Sequence, residues 1–180
     1  QKFVESLARQ MAEQAVEGVE ALLARPWSGA AGQTVDAALK ALVAKLGENM
    51  EIRRVSRLVA GAGEKVGHYI HAGSRIGVLV ALKGPAGKHT PELLKDVAMH
   101  VAAMNPAYLH AEAVPAGIVD KEKEIIRTQL EPGKPAEVQE KIVAGKVRRF
   151  FTENCLVEQL FVKDPSGKKI AEIVDLDLYD

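Results

Sequence analysis

The stretch VGHYIHAGSRIGVLVALKG (66–84) decides how the rest of the chain is read. Residues 66–71 and 75–83 predict two strands, joined through Ala72, Gly73 and Ser74 as an antiparallel hairpin with a short glycine turn. In the second strand Ile76, Val78, Val80 and Leu82 point one way while Gly77, Leu79 and Ala81 point the other. Both faces are apolar or small, which predicts a central strand covered on both sides.

A helix follows. Thr90 is an N-cap, Pro91 fits the first helical position, and Glu92 places an acid on the positive end of the helix dipole. Leu93, Val97, Val101 and Met104 form its expected buried stripe, with His100 at the stripe's edge, and Asn105-Pro106 ends it. Upstream, GAGEKVG (61–67) reads as a joint between two parts of the chain. Before it, Met50 and Ile52 alternate with Glu51 and Arg53, predicting a strand to about residue 58. Thr34 caps a helix striped with Val35, Ala38, Leu39, Leu42 and Leu46, and Gly47 closes it in a left-handed conformation. Phe3, Leu7 and Met11 recur every four residues, predicting an amphipathic helix over 2–23 that ends at a loop containing Pro26, Gly29 and Gly32.

Downstream, helices are expected over 118–130 and 136–151, separated by EPGKP (131–135), the spacing of an antiparallel helical hairpin. The first carries a thin stripe of Val119, Ile126 and Leu130. The second is apolar over more than half its circumference, with Ile142, Val143, Val147, Phe150 and Phe151, so part of it should meet a further surface. Residues 156–163 read as a strand and Asp164-Pro165-Ser166-Gly167 as a turn.

Acids and bases balance, 24 Asp plus Glu against 24 Lys plus Arg, and no large basic excess is available for nucleic-acid phosphates. Two basic clusters, Arg53/Arg54/Arg57 and Lys146/Arg148/Arg149, read as solvated faces. Cys155 is the only cysteine, so an intrachain disulfide is impossible and a reducing compartment is expected. It reads as core filling. No apolar run reaches the ~20 residues needed to span a bilayer. The chain lacks an initial Met and opens inside a helical pattern, as a piece of a longer protein would.

Enzymatic and metal chemistry find little support. ALKGPAGKHT (81–90) lies between a strand and a helix, but only two residues separate Gly84 from Gly87, Pro85 supplies no amide, and His89 follows Lys88 where a phosphate loop needs Ser or Thr. His68 and His71 have no companion ligands at metal-site spacing, and residues three apart on a strand face opposite ways. Gly61 and Gly63 precede a strand, unlike a dinucleotide fingerprint. No catalytic residue, cofactor or metal site is expected.

Five segments together carry a resemblance: KLGENMEIRRV (45–55), SRIGVLVALKG (74–84), DVAMHVAAMNP (96–106), GKPAEVQEKIVAGKVRRF (133–150) and EQLFVKDPS (158–166). In this order and spacing the chain resembles the translation elongation factor Ts family. The resemblance implies an α+β fold: a two-part core with antiparallel strands packed on helices, interrupted by an antiparallel helical hairpin used in dimerisation. It places the end of the first core subdomain at 1–59, the second at 60–108 and 156–180, and the hairpin at 109–155. The implied activity is guanine-nucleotide exchange on elongation factor Tu in the cytoplasm or an organelle matrix, without covalent chemistry, cofactor, nucleic acid or membrane.

By the same resemblance Leu46, Gly47, His71 and Val162 are expected to contact elongation factor Tu. Each also has a plain structural role: Leu46 as core, Gly47 as a helix cap, His71 as an exposed turn residue, Val162 as strand filling. The family's Thr-Asp-Phe-Val motif, its N-terminal domain, closing strand and C-terminal helix have no counterpart in this sequence, and Leu160 stands where the family usually has Pro. Two alternatives compete: a self-associating helical module without exchange activity, and an enzyme with a polar small-molecule pocket.

Overall fold

The computed structural model describes residues 2–84, 87–130, 133 and 135–174. Pro85 and Ala86 of the tested phosphate loop, Glu131, Pro132 and Lys134 of the interhelical linker, and residues 175–180 lie outside the described residues. The fold is α+β, with seven α-helices and one two-stranded antiparallel sheet among the described residues. The chain divides into two compact units, Gln1–Val59 and Ala60–Asp180.

The first unit is helical. The expected helix over 2–23 is two, α1 (Lys2–Glu13) and α2 (Val19–Leu23). Residues 14–18 separate them, and Gly18, with a φ of 86° that no helix accommodates, stands just before α2. Arginines satisfy carbonyls that the break leaves open: Arg57 Nη2 donates to Ala12 O at 3.0 Å and Arg25 Nη2 to Ala15 O at 3.2 Å. Arg57 is therefore a helix-end cap rather than part of a purely solvated face. Helix α3 (Val35–Leu46) starts as expected, Thr34 Oγ1 accepting from Ala37 N at 3.2 Å.

Leu7, Leu22 and Val35 form this unit's buried centre, with Phe3, Met11, Trp27, Ile52 and Val55 packed around it. The Phe3 and Trp27 rings lie 4.8 Å apart. Gln10 is buried, and its amide spans a loop, donating to Pro26 O at 2.8 Å and accepting from Ser28 N at 3.1 Å. The strand expected over 50–58 is not formed. Ile52 and Val55 pack inward at a spacing of three, and the described residues of this unit hold no strand to pair with them.

In the second unit β1 (Glu64–Ile70) pairs with β2 (Gly77–Lys83), with Gly67 opposite Val80 and Ile70 opposite Gly77. The connecting turn uses two left-handed residues, Gly73 and Ser74, and closes with Ser74 N donating to His71 O at 2.9 Å. Helix α4 (Pro91–Met104) lies on one face of this hairpin. Gly67 makes the approach possible: a Cβ there would sit 2.5 Å from Leu94 Cβ. The prediction of a two-sided strand is overturned. Val80 is buried but Leu79 is 51% exposed, because the sheet has only two strands and α4 covers only one face.

Val80, Leu94, Val97, Ala98, Phe161, Ile170 and Val174 make the unit's core, the last two from α7 (Ile170–Val174). The buried stripe of α4 is rotated from the expected one: Leu94, Val97, Ala98 and His100 are inside, and Met104 is exposed. Asn105 ends α4 in a left-handed conformation, its N–H donating to Val101 O at 3.0 Å.

Helices α5 (Ala116–Thr128) and α6 (Ala136–Asn154) share a core of Ile126, Val143 and Val147. Val119, early in α5, and Phe151, late in α6, belong to the same cluster, and Arg127 pairs with Glu140 at 3.0 Å, as an antiparallel arrangement requires. The two ends of this hairpin meet: Leu156 N donates to Tyr108 O at 2.9 Å and Val157 N to Leu109 O at 3.1 Å. Cys155, at that junction, is fully buried, and burial raises its thiol pKa, with Glu158 and Glu112 adding to the effect.

The strand expected over 156–163 is also corrected. A 3-10 turn at Leu156–Glu158 is followed by a narrow strap, with Ile170 N donating to Gln159 O at 3.0 Å and Phe161 N to Lys168 O at 2.9 Å. The predicted turn within it is present, Gly167 N donating to Asp164 O at 3.2 Å and Ser166 N to Asp164 Oδ1 at 2.8 Å. Hydrogen bonding from the Ser166 side chain and backbone holds the Asp164 carboxyl below its usual range.

Candidate functional site

The four residues singled out from sequence stand at three places. Leu46 is the last residue of α3 and is 55% exposed, so it is not core. Gly47 caps the helix at φ 70°, its N–H donating to Val43 O at 2.9 Å, with nothing within 4 Å of where a Cβ would stand. An exposed leucine beside a bare backbone corner results. The corner is held by Thr34 at one end of α3 and by Gly47 at the other.

His71 follows β1 at the start of the hairpin turn. Its N–H donates to Ile76 O at 2.9 Å, and the Tyr69 hydroxyl lies 3.0 Å from its Nδ1. The imidazole is exposed and fixed in direction by that contact. Ile70 and Ile76, on either side of the turn, are also exposed, giving the tip an apolar rim. His71 lies in the turn beyond β1, so strand alternation does not set it opposite His68. Among the described residues no group of three or more His, Cys, Asp or Glu could hold a metal ion.

Val162 sits on the strap and is 51% exposed, as is Leu160 to a similar degree, while Phe161 between them is buried. The plain reading of Val162 as strand filling therefore does not hold. Its backbone is tied down: Val162 N donates to His100 Nδ1 at 3.3 Å, and the neighbouring Lys163 pairs with Asp96 at 2.6 Å. Among the described residues no hydrogen bond joins any two of the four. Leu46 and Gly47 belong to the first unit, His71 and Val162 to the second.

Sequence reasoning missed the residues that hold these positions. His100, expected at the edge of a stripe, is fully buried and engages partners through both ring nitrogens. Gln159 is buried beside it. The only signal available was a histidine and a glutamine in otherwise apolar segments, which burial must satisfy. His89 is a second such case: its Nε2 lies 3.1 Å from Val174 O, and Lys65 Nζ donates to its carbonyl at 2.8 Å. Gly84 packs against its ring, a Cβ there falling 2.4 Å from Cε1. Gly84 and His89, both from the segment tested as a phosphate loop, thus pack on each other.

The arrangement defines a class: a mixed α+β protein whose singled-out residues are surface features set on rigid supports. Comparison with known proteins gives the family. The profile described as Elongation factor TS matches residues 1–177. Elongation factor Ts of Nitratiruptor sp. is 42% identical over 177 residues, covering 96% of this chain and 57% of that protein. Elongation factor Ts of Clostridium kluyveri is 46% identical over 164 residues, covering 90% and 53%, and that of Alcanivorax borkumensis 52% identical over 136 residues, covering 75% and 45%. The chain belongs to the elongation factor Ts family and spans about half the length of these relatives.

Proposed function

We propose that this chain acts in translation elongation as a guanine-nucleotide exchange factor for elongation factor Tu, working by contact and without covalent chemistry. The observation that carries the reading is the coincidence of family membership with exposure. Leu46, His71 and Val162, the positions that match family contacts, are surface side chains whose backbones are hydrogen-bonded in place. Such pre-ordered anchors lose little entropy on binding.

Exchange then follows from linkage. A factor that binds the nucleotide-free partner better than the GDP-bound one must weaken GDP by the same factor, with couplings of about 5- to 150-fold typical. The exposed Leu46–Gly47 corner, the His71 tip and Val162 supply the differential contacts, and GTP in excess refills the emptied site. The hairpin over 109–155 is a dimerisation element on this reading, in keeping with exposed Ile118, Ile125 and Val138 on its helices. Residues 1–59 serve as part of the first core subdomain, and 60–108 with 156–180 as the second. A cytoplasmic location fits the activity, and no helix among the described residues is long and apolar enough to cross a membrane.

The test is release of a fluorescent GDP analogue from elongation factor Tu, with and without this chain. Acceleration that weakens on truncating Leu46, His71 or Val162 to Ala is expected. No acceleration, together with no detectable complex with the nucleotide-free partner, would sink the proposal.

A further inference from the structure

The bond network around His100 has only one consistent arrangement. Gln159 Nε2 lies 2.8 Å from Glu153 O, a carbonyl that can only accept, so the amide nitrogen must face it. Gln159 Oε1 is then turned to His100 Nε2 at 3.0 Å, and that ring nitrogen must carry the proton. The other ring nitrogen, Nδ1, meets the N–H of Val162 at 3.3 Å, which can only donate. The imidazole is therefore neutral, protonated on Nε2 and bare on Nδ1. Burial acts in the same direction, lowering the His100 pKa against a smaller opposing effect of the Gln159 bond. No other side chain of the described residues bonds the strap's backbone between Leu160 and Lys163, and Val162 N has no other partner within the described residues.

From this geometry we infer that His100 is the positioning residue for Val162: its bare Nδ1, locked in that tautomer by Gln159 and Glu153, fixes the backbone that presents the Val162 side chain to the partner. The inference rests on the reading of Val162 as a contact with elongation factor Tu. It assigns a role to a residue that cannot itself touch the partner, being wholly buried in α4. The Phe161 ring, 5.9 Å from the imidazole, seals the inner side of the strap, so Leu160 and Val162 are directed outward together.

The two ring nitrogens can be tested separately, because an Asn side chain places an acceptor near Nδ1 and a Gln side chain places a donor near Nε2. In the full 180-residue chain, H100N should keep the Val162 bond and H100Q should lose it. Hydrogen exchange at the Val162 amide should quicken in H100Q but not in H100N. Affinity for nucleotide-free elongation factor Tu, measured by calorimetry, should fall roughly fivefold to tenfold in H100Q, the scale of ordering one backbone residue on binding that the His100 bond otherwise fixes beforehand. In a V162A background, H100Q should cost no further affinity. Equal behaviour of H100N and H100Q in both readouts, or full additivity with V162A, would show a general packing role and overturn the inference. If V162A alone leaves affinity unchanged while the chain still binds, the contact assigned to Val162 is wrong and the inference falls from that side. Nitrogen NMR of the unaltered ring needs no variant: an Nδ1-protonated tautomer would overturn it outright.

Discussion

Replacing Gly67 with Ala tests the central packing of the second unit, and Gly77 in the same sheet supplies its control. An ideal Cβ on Gly67 lies 2.5 Å from Leu94 Cβ, 3.3 Å from its carbonyl carbon and 3.4 Å from its Cα. Carbon atoms prefer about 3.5–4.0 Å, so α4 and β1 must part by roughly 1 Å. The obstacle includes helix backbone, which cannot swing aside as a flexible side chain can. Overpacking of this kind costs about 1–3 kcal/mol. Ala also restricts the unfolded chain, offsetting about 0.4–1 kcal/mol. The expected net loss is about 1–2 kcal/mol. A Cβ on Gly77, by contrast, would meet nothing within 4 Å, and G77A should fall within about 0.5 kcal/mol of the parent. With a urea m-value of about 2 kcal/mol/M, G67A should lower the unfolding midpoint by roughly half a molar to one molar. Midpoints that shift equally for the two variants, or a G67A midpoint at or above the parent's, would refute the flush packing of α4 on β1.

Three further outcomes are expected. Gly47→Ala should destabilise the first unit by about 1 kcal/mol through the left-handed backbone alone, since no atom crowds the site, and Gly47→Asn should recover much of the loss; melting temperatures decide it. His100 titrates below its ordinary value of 6.5 because burial disfavours its charged form, so the unfolded state takes up the proton first. Its contribution to stability is therefore complete above about pH 6.5 and declines as pH falls through that value towards the folded pKa; denaturation midpoints across pH should show a shallower decline in H100N. Cys155, fully buried with its thiol pKa raised, should react with a disulfide dye only as denaturant opens the fold, whereas fast labelling at pH 8 without denaturant would contradict the packed junction.

What could be read locally in the sequence was local chemistry. Thr34 and Thr90 as caps, Pro91 in the first helical turn, Gly47 as a left-handed end, Asn105-Pro106 as a helix stop and the Gly73–Ser74 turn each depend on a few adjacent residues, and each stands where the sequence puts it. Strands depend on partners elsewhere. Residues 50–53 alternate as a strand does and 156–163 is apolar enough to read as one, yet neither finds a ladder; one stretch packs Ile52 and Val55 into a helical core, the other folds back as a strap. The break at Gly18 was hidden because the apolar rhythm resumes at Leu22 after it. At the candidate site, the resemblance pointed to Leu46, His71 and Val162, but the exposure of Leu46 and Val162 comes only from tertiary structure, and nothing near Val162 in sequence points to His100, 62 residues away.

That separation has a consequence for synthesis on the ribosome. His89 bonds a carbonyl 85 residues downstream, and Ile170 and Val174 complete the core on which Val80, Leu94 and Val97 depend. The hairpin helices must be made in between. At about 5–20 residues per second, the sheet and α4 wait several seconds or more, apolar faces open, before α7 emerges to cover them. The second unit is thus a shape that can close only once α7 has been made, and until then its nascent form presents bare hydrophobic surface to whatever waits at the exit tunnel.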